Sequence, residues 1–181
     1  MEYVIGGIVL LLLYGIVIYN KFIALQARGE ASWSDIDVQL RRRYNLIPNL
    51  LNAVKGYMDH EKNTLESITQ ARVQSKAASN VLEQGAAEAT LANAIGKIMM
   101  VAEAYPDLKA NQNFIDLQQQ LAEIEDAIQN ARRYYNAVVR DFNTLVESFP
   151  SLFIARMFKF LKRDFFEIEN AEERANVKIS F

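Results

Sequence analysis

Side chains able to do chemistry are few in this sequence, and their spacing does not assemble a reaction centre. His60 is the only histidine and there are no cysteines. Disulfides, thiolate zinc sites and multi-histidine metal centres therefore have nothing to be built from. A histidine-based nucleophilic triad would have to run through His60, which stands between Asp59 and Glu61 in a turn. Acidic neighbours favour the imidazolium rather than a general base. Thr64 and Ser67 read more simply as capping or surface hydroxyls. Glu123 and Asp126 pair at i,i+3, but no Glu-x-x-His accompanies them to complete a di-metal bundle site. The 7 glycines are scattered and form neither a P-loop nor a GxGxxG. With Lys+Arg 20 against Asp+Glu 22, the net charge of −2 supplies no basic field for nucleic acid. The expectation is a chain that is not an enzyme, with no catalytic, cofactor-binding or metal site.

The remaining charges suit surfaces. Arg42 and Arg43 flank one apolar stripe, and Glu123, Glu125 and Asp126 flank another. Ion pairing between helices would use them to set register; a polar partner site is the alternative. At about 100° per residue, Phe153, Ile154, Met157, Phe158, Phe160 and Leu161 cover one side of residues 152–163. Arg156, Lys159, Lys162 and Arg163 gather on the other. One reading is an interfacial helix in contact with lipid or a partner. The other has the aromatics covering the open end of a bundle and the cations solvated. The acidic run Asp164, Glu167, Glu169, Glu172 and Glu173 could neutralise the basic face.

These side chains must be carried by helices. From Tyr3 to Asn20 no residue is charged, and as a helix that run spans roughly 27 Å, enough for a hydrocarbon core with flanking help. Leu10 and Leu12 lie within it, and Tyr3, Tyr19 and Phe22 lie where interfacial aromatics belong. A secretory signal is disfavoured because no Lys or Arg precedes the run. Lys21, Arg28 and then Arg41, Arg42 and Arg43 follow it, which argues for an N-terminus outside and a cytoplasmic body. Gly7 and Gly15 share a face without forming GxxxG, a weak signal for anchor dimerisation.

Beyond the anchor, Trp33, Ile36, Leu40, Tyr44, Ile47, Leu51, Val54 and Met58 recur in steps of three and four. Ser32-x-x-Asp35 could start a helix there, or Gly29 could lie inside one helix continuing from the membrane. Pro48 falls in mid-stripe and predicts a kink rather than an end. A second stretch, from near Asn63, carries Leu65, Ile68, Leu91, Ile95 and Ile98; residues 79–85 are its weakest part. Tyr105-Pro106 ends it. The third, Leu117 to Phe149, has a coiled-coil-like heptad seam closed by Pro150. Three similar rods predict an all-α fold: an anchor at 1–21, then a domain at 22–181 built as an up-down-up antiparallel bundle with a short C-terminal segment. Pro150 would then lie far from the membrane, which favours the bundle-end reading of residues 152–163.

Three runs of residues carry a family resemblance. Ala31-Ser-Trp33-Ser-Asp-Ile-Asp37-Val-Gln-Leu-Arg-Arg42-Arg43-Tyr-Asn-Leu-Ile-Pro48-Asn49-Leu50 resembles the signature of the bacterial LemA family. Tyr105-Pro106-Asp-Leu-Lys-Ala-Asn111 is similar to its second motif. Ala131-Arg132-Arg-Tyr-Tyr135-Asn136, with Asn143 and Phe149-Pro150-Ser151, is similar to its third. The resemblance implies a single-pass bacterial membrane protein with a helical soluble domain and no accepted biochemical activity, one branch being linked to building magnetosome membranes. The chain departs from the family pattern after Ile154-Ala155, where Gly or Pro is usual, and near Asn176-Val177, where a Pro is missing.

Together these readings predict a non-enzymatic, membrane-anchored scaffold or adaptor in the bacterial inner membrane. It would present its bundle to protein partners or to copies of itself, in a role connected with membrane organisation. A membrane-remodelling or tethering factor acting through 152–166 is the alternative.

Overall fold

The computed structural model describes residues 1–58 and 61–167. His60 and Asp59, the acidic residues Glu169, Glu172 and Glu173, and Asn176-Val177 lie outside the described residues. The described residues form six α-helices and no strand: α1 (Glu2–Lys55), α2 (Lys62–Ala77), α3 (Val81–Ala102), α4 (Pro106–Lys109), α5 (Gln112–Glu147) and α6 (Ser151–Phe158). They fall into two compact units. Unit 1 holds Met1–Ile36 with Asn130–Phe165; unit 2 holds Asp37–Gln129 with Phe166 and Glu167 among the described residues.

Helix α1 is unbroken from the apolar run onward. No helix starts at Ser32; its hydroxyl instead donates back to the Gly29 carbonyl at 3.0 Å, buried inside the helix. The helix also continues through Pro48. Within its first turns Val4, Ile5, Leu10, Leu11, Leu12 and Leu13 are all exposed, and the segment is long and apolar enough to cross a membrane.

In unit 1, α5 runs antiparallel to α1. Trp33 meets Tyr135 with ring centroids 5.4 Å apart, and Phe22 meets Phe142 edge-on at 5.8 Å. Phe22, Leu25, Phe142 and Ala155 form a buried cluster, with Ile18, Val146, Ile154 and Phe160 packed against it. Each fully buried side chain of this size contributes about 2 kcal/mol. Helix α6 ends at Lys159, whose φ of 58° is left-handed. That conformation costs a non-glycine residue about 1 kcal/mol. A Schellman pair offsets it: Phe160 N–H donates to Ala155 O at 2.9 Å, and Lys159 N–H to Arg156 O at 3.4 Å. The amphipathic helix is thus shorter than 152–163, and Lys162 and Arg163 lie beyond its end.

In unit 2, the second expected rod is two helices. Residues 78–80 reverse the chain, so that Ser75 of α2 faces Gln84 and Glu88 of α3. The cause is a local stop-and-start signal. Asn80 Oδ1 accepts from the Glu83 N–H at 2.9 Å, while the Glu83 carboxylate accepts from the Ser79 N–H at 3.0 Å and the Ser79 hydroxyl at 2.8 Å. This is a capping box shifted by one residue, and these bonds hold the Glu83 carboxyl below its ordinary range, the Ser79 backbone N–H most of all. Asn63 is not a cap; α2 starts one residue before it. Gly85 follows the box, and a methyl there would overlap the carbonyl oxygen of Glu167, which passes over it. The core of the unit is drawn from Leu40, Ile47, Leu50, Ile68, Leu91, Ile98, Phe114 and Leu121, all buried. Pro106 takes the first position of α4, where its missing N–H costs nothing.

Asn80→Ala should lower stability by about 1 kcal/mol, read as a shift in the urea midpoint of the detergent-solubilised chain. An unchanged midpoint would mean that the reversal does not depend on the cap.

Candidate functional site

The most concentrated polar chemistry lies inside unit 2. Arg43 and Tyr44 are carried by α1, Ser75 by α2 and Gln84 and Glu88 by α3. Arg43 and Glu88 both occupy seam positions. Arg43 follows Leu40 and precedes Ile47, and Glu88 precedes Leu91, Ile95 and Ile98 at three- and four-residue steps. Both are therefore buried, Arg43 at 1% exposure and Glu88 at 0%. One Glu88 oxygen pairs with Arg43 Nη2. The other accepts from the Tyr44 and Ser75 hydroxyls and from Gln84 Nε2, the last at 2.6 Å. Arg43 Nη1 reaches Glu125 of α5 at 2.7 Å. Arg72 Nε adds a bond to the Tyr44 carbonyl at 2.9 Å. Burial raises the Tyr44 phenol above its ordinary value, and the hydrogen bond to Glu88 raises it further.

This constellation is closed upon itself. Both Glu88 oxygens are engaged, one by three donors and the other by Arg43 Nη2. Arg43 Nε is buried with no hydrogen-bond partner. An apolar cavity of about 500 Å³ adjoins Arg43 and Glu125 and is walled by Ile95, Met99 and Leu121. What the arrangement does is join three helices at one register: α1 to α3 through Glu88 and α1 to α5 through Glu125. Of the pairings open to Arg42, Arg43, Glu123, Glu125 and Asp126, only Arg43 with Glu125 is formed among the described residues. Arg42 instead binds Gln39 one turn back, at 3.0 Å. Glu88 and Ser75 were not singled out from the sequence. The signal that could have found Glu88 is a lone carboxylate in an otherwise apolar seam, which requires a buried cation opposite it.

Other singled-out residues are dispersed. Asp37 pairs with Arg41 at 2.8 Å on the surface. Pro48 lies inside α1, and Asn49 lines a shallow polar groove with Asn52 and Asp116. Tyr105 precedes α4 and Pro106 opens it. Arg132 and Asn136 are half-buried on α5 beside Tyr135. The Tyr135 hydroxyl donates to the Asp164 carbonyl at 3.1 Å; burial raises this phenol, with Arg163 opposing. Among the described residues no group of His, Asp and Glu is gathered as a metal would need.

The second feature lies in unit 1, where residues 151–163 return along α1. A Cβ placed on Gly15 would stand 3.7 Å from Ile154 Cδ1. Tyr19 meets Phe158 at 4.6 Å, and Phe22 stacks on Phe160 at 4.5 Å. Arg163 pairs with Glu30 at 3.1 Å, Lys162 pairs with Glu147, and Asn143 brackets the Arg163 backbone with two bonds of 2.9 Å. This corrects the expectation that the segment lies far from the apolar run. With one helix between them α1 and α5 would be parallel; with the α2–α3 reversal they are antiparallel, and Pro150 lies at the anchor. Ile154 and Phe160 pack against the buried Phe22 cluster, whereas Phe153, Met157, Phe158 and Leu161 are exposed.

Two outcomes test the buried cluster. Glu88→Leu should cost about 3–5 kcal/mol because it takes the buried partner from Arg43 Nη2 and leaves that guanidinium only the half-exposed Glu125, whereas Arg43→Met with Glu88→Leu should restore stability to near the parent or above it; urea denaturation of the three chains decides this. Stability should also fall above about pH 10. Below that pH the phenol is neutral in both states and its contribution is complete. Above it the unfolded chain ionises first, and the contribution is lost as pH rises toward the raised folded value. Tyr44→Phe should make that alkaline slope shallower, with Tyr135 supplying the remainder; an identical slope would overturn the assignment.

Comparison with known proteins agrees with this architecture. The family model described as LemA family matches residues 32–181. The chain is 23% identical over 175 residues to magnetosome protein MamQ 2 of Paramagnetospirillum magneticum, covering 82% of this chain and 64% of that protein. It is 22% identical over 174 residues to magnetosome protein MamQ of Magnetospirillum gryphiswaldense, with 82% and 64% covered. Against protein LemA of Metamycoplasma hominis the identity is 27% over 134 residues, covering 72% and 60%. The chain thus spans a little under two thirds of the length of the curated relatives it matches. A match across most of the chain, on an all-α architecture with an apolar N-terminal helix, identifies it as a member of the LemA family.

Proposed function

We propose that this chain is a non-enzymatic, membrane-anchored helical scaffold. Residues 1–21 hold it in the bacterial inner membrane, and the domain at 22–181 presents its helical surfaces to protein partners or to further copies of itself, in membrane organisation. The observation that carries this reading is α1 itself. One unbroken helix is exposed and apolar through residues 4–13 and then supplies Phe22 and Leu25, and further on Leu40, Ile47 and Val54, to buried cores. Anchor and body are therefore one element, as a protein whose task is position requires. The polar groups with chemical potential, Arg43, Tyr44 and Glu88, are consumed in holding helices together. Relatives named as magnetosome proteins are in keeping with a part in membrane organisation.

Orientation with the N-terminus outside and the body cytoplasmic is supported by cations gathered past the apolar run: Lys21 and Arg28 on α1, and Lys159, Lys162 and Arg163 beside them in unit 1. The second reading, lipid contact through 152–166, is favoured by the position of α6 against Gly15 and Tyr19. The same position argues against tethering, because the segment lies against its own anchor rather than facing a second membrane.

Two measurements bear on the scaffold. The chain has no cysteine, so a single Lys162→Cys variant reports without background. An impermeant maleimide should label it only after permeabilisation; labelling in intact cells would reverse the orientation. Crosslinking mass spectrometry in native membranes should recover the same protein, or a second copy, joined through exposed Lys76 or Lys97. Recovery of intrachain links alone would overturn the scaffold reading.

A further inference from the structure

We propose that the α5–α6 turn is a wedge set into the leaflet of the bilayer that α1 crosses, and that Arg156 and Lys159 above it take anionic phospholipid headgroups. The proposal rests on reading residues 3–20 as a membrane span.

The depth of the turn follows from its contacts. Going down α5, Tyr135 meets Trp33, Phe142 meets Phe22, and Val146 joins the cluster that holds Ile18. Coming back up, Ile154 meets Gly15, Phe158 meets Tyr19, Phe160 meets Phe22, and Arg163 reaches Glu30. Residues 148–153 are thus the lowest point of the hairpin, at or beyond the level of Gly15. Gly15 lies six residues before Lys21, the first cation after the apolar run, hence about 9 Å deeper along the helix. Interfacial elements bury their apolar faces about 5–10 Å into the headgroup and acyl boundary.

The surface of the turn suits that depth. Phe149 is 78% exposed and Phe153 58%, their rings in edge contact at 5.9 Å, and Met157 is 70% exposed. Beside them, Leu11, Leu12, Gly15, Ile154 and Phe158 line an apolar cleft of about 470 Å³, a place for an acyl chain rather than for water. A low-dielectric environment also demands that backbone groups be satisfied internally. Ser148 Oγ donates to Thr144 O at 2.7 Å, Ser151 Oγ donates to Leu145 O at 2.7 Å, and Leu152 N–H donates to Ser148 O at 2.8 Å. Between residues 142 and 163 the one carboxylate is Glu147, and Lys162 neutralises it. Arg156 and Lys159 are exposed and have no ion-pair partner among the described residues. They stand one to two helical turns above Phe153, where phosphates lie above buried rings. The continuity of this face with the anchor identifies the occupant as lipid; a second copy or another protein is what the test must be able to reveal.

The test uses the full-length chain in lipid nanodiscs, with single cysteines carrying a small fluorophore at Leu12, Phe153, Met157 or Lys97. Doxyl-lipid quenching should be strong at Leu12→Cys, intermediate at Phe153→Cys and Met157→Cys in that order of depth, and well above that at Lys97→Cys at all three. Absence of quenching at Leu12→Cys would overturn the membrane-span reading itself. Quenching at Leu12→Cys with none at the two turn positions would overturn the wedge while leaving the span intact. A blue-shifted but unquenched turn would do the same by assigning the face to protein. In discs containing anionic phosphatidylglycerol, Arg156→Gln and Lys159→Gln should each lower the ratio of inserted to withdrawn turn about fivefold, with little change in zwitterionic discs. Equal effects in both lipids would overturn the headgroup assignment.

Discussion

One reversal of direction, at residues 78–80, governs the rest of the structure. Helices α1 and α5 are the long elements, and whether they run parallel or antiparallel depends only on how many helices separate them. A single continuous helix from Asn63 to Glu103 would leave them parallel and carry the chain end away from the apolar run. The Asn80–Glu83 capping box divides that helix, α5 returns antiparallel to α1, and residues 151–163 arrive against Gly15 and Tyr19. A few hydrogen bonds at an exposed helix start thus mark where the chain reverses. The local energies are small, but the alternative topology would have to bury different faces altogether.

The buried Arg43–Glu88 pair acts on the same constraint from inside. Two seam positions that would otherwise be leucine carry opposite charges, and desolvating them costs about as much as their attraction returns. Their value lies in discrimination. Only when α3 starts at Val81 and runs back along α2 can Glu88 meet Arg43, Tyr44, Ser75 and Gln84 together. Any slip of α3 by a turn would leave a guanidinium and a carboxylate buried apart, at several kcal/mol each. Arg43 also reaches Glu125, so the register of α5 is referred to the same residue. Apolar packing alone, with alanines at 86, 87, 89, 92 and 94, would distinguish these registers poorly.

The division between what could be read from the sequence and what could not follows the range of the signals. The apolar run, the stripe of α1 and the heptad seam of α5 are signals sustained over many turns; the first two merge into the single helix α1, and the third stands as α5 close to its expected ends. Tyr105-Pro106 reads equally locally as the end of the second stretch; that Pro106 also opens α4 is not part of that reading. The reversal at 78–80 was visible only as a weak stretch, because strong helix formers on both sides masked Asn80-x-x-Glu83. Without that reversal the pattern places Pro150 at the opposite end of α1 from the apolar run. The buried cluster is half legible: Arg43 and Glu125 read as flanking charges, but Glu88 belongs to a helix whose direction the sequence pattern leaves open. Lys159 is legible as one of the cations of the basic face, but not as the residue that ends α6. Its left-handed φ shows the constraint that glycine would meet more easily.

Each unit is held together internally by different means. Unit 2 contains a fully desolvated ionic cluster, which is stable only where every partner is fixed by surrounding protein. Unit 1 relies on rings, Phe22 against Phe142 and Phe160 and Trp33 against Tyr135, and its ion pairs, Arg163–Glu30 and Lys162–Glu147, lie at the surface. Close to a bilayer this is the arrangement that tolerates a change of medium. Ring packing keeps its geometry whether the outer face meets water or lipid, and surface cations can exchange carboxylates for phosphates without leaving a buried charge behind. An ionic core placed at the anchor would instead be exposed to every fluctuation of water into the headgroup layer. The wedge proposed for the aromatic turn is thus compatible with the ring packing of unit 1, as the ionic pin is with the closed core of unit 2.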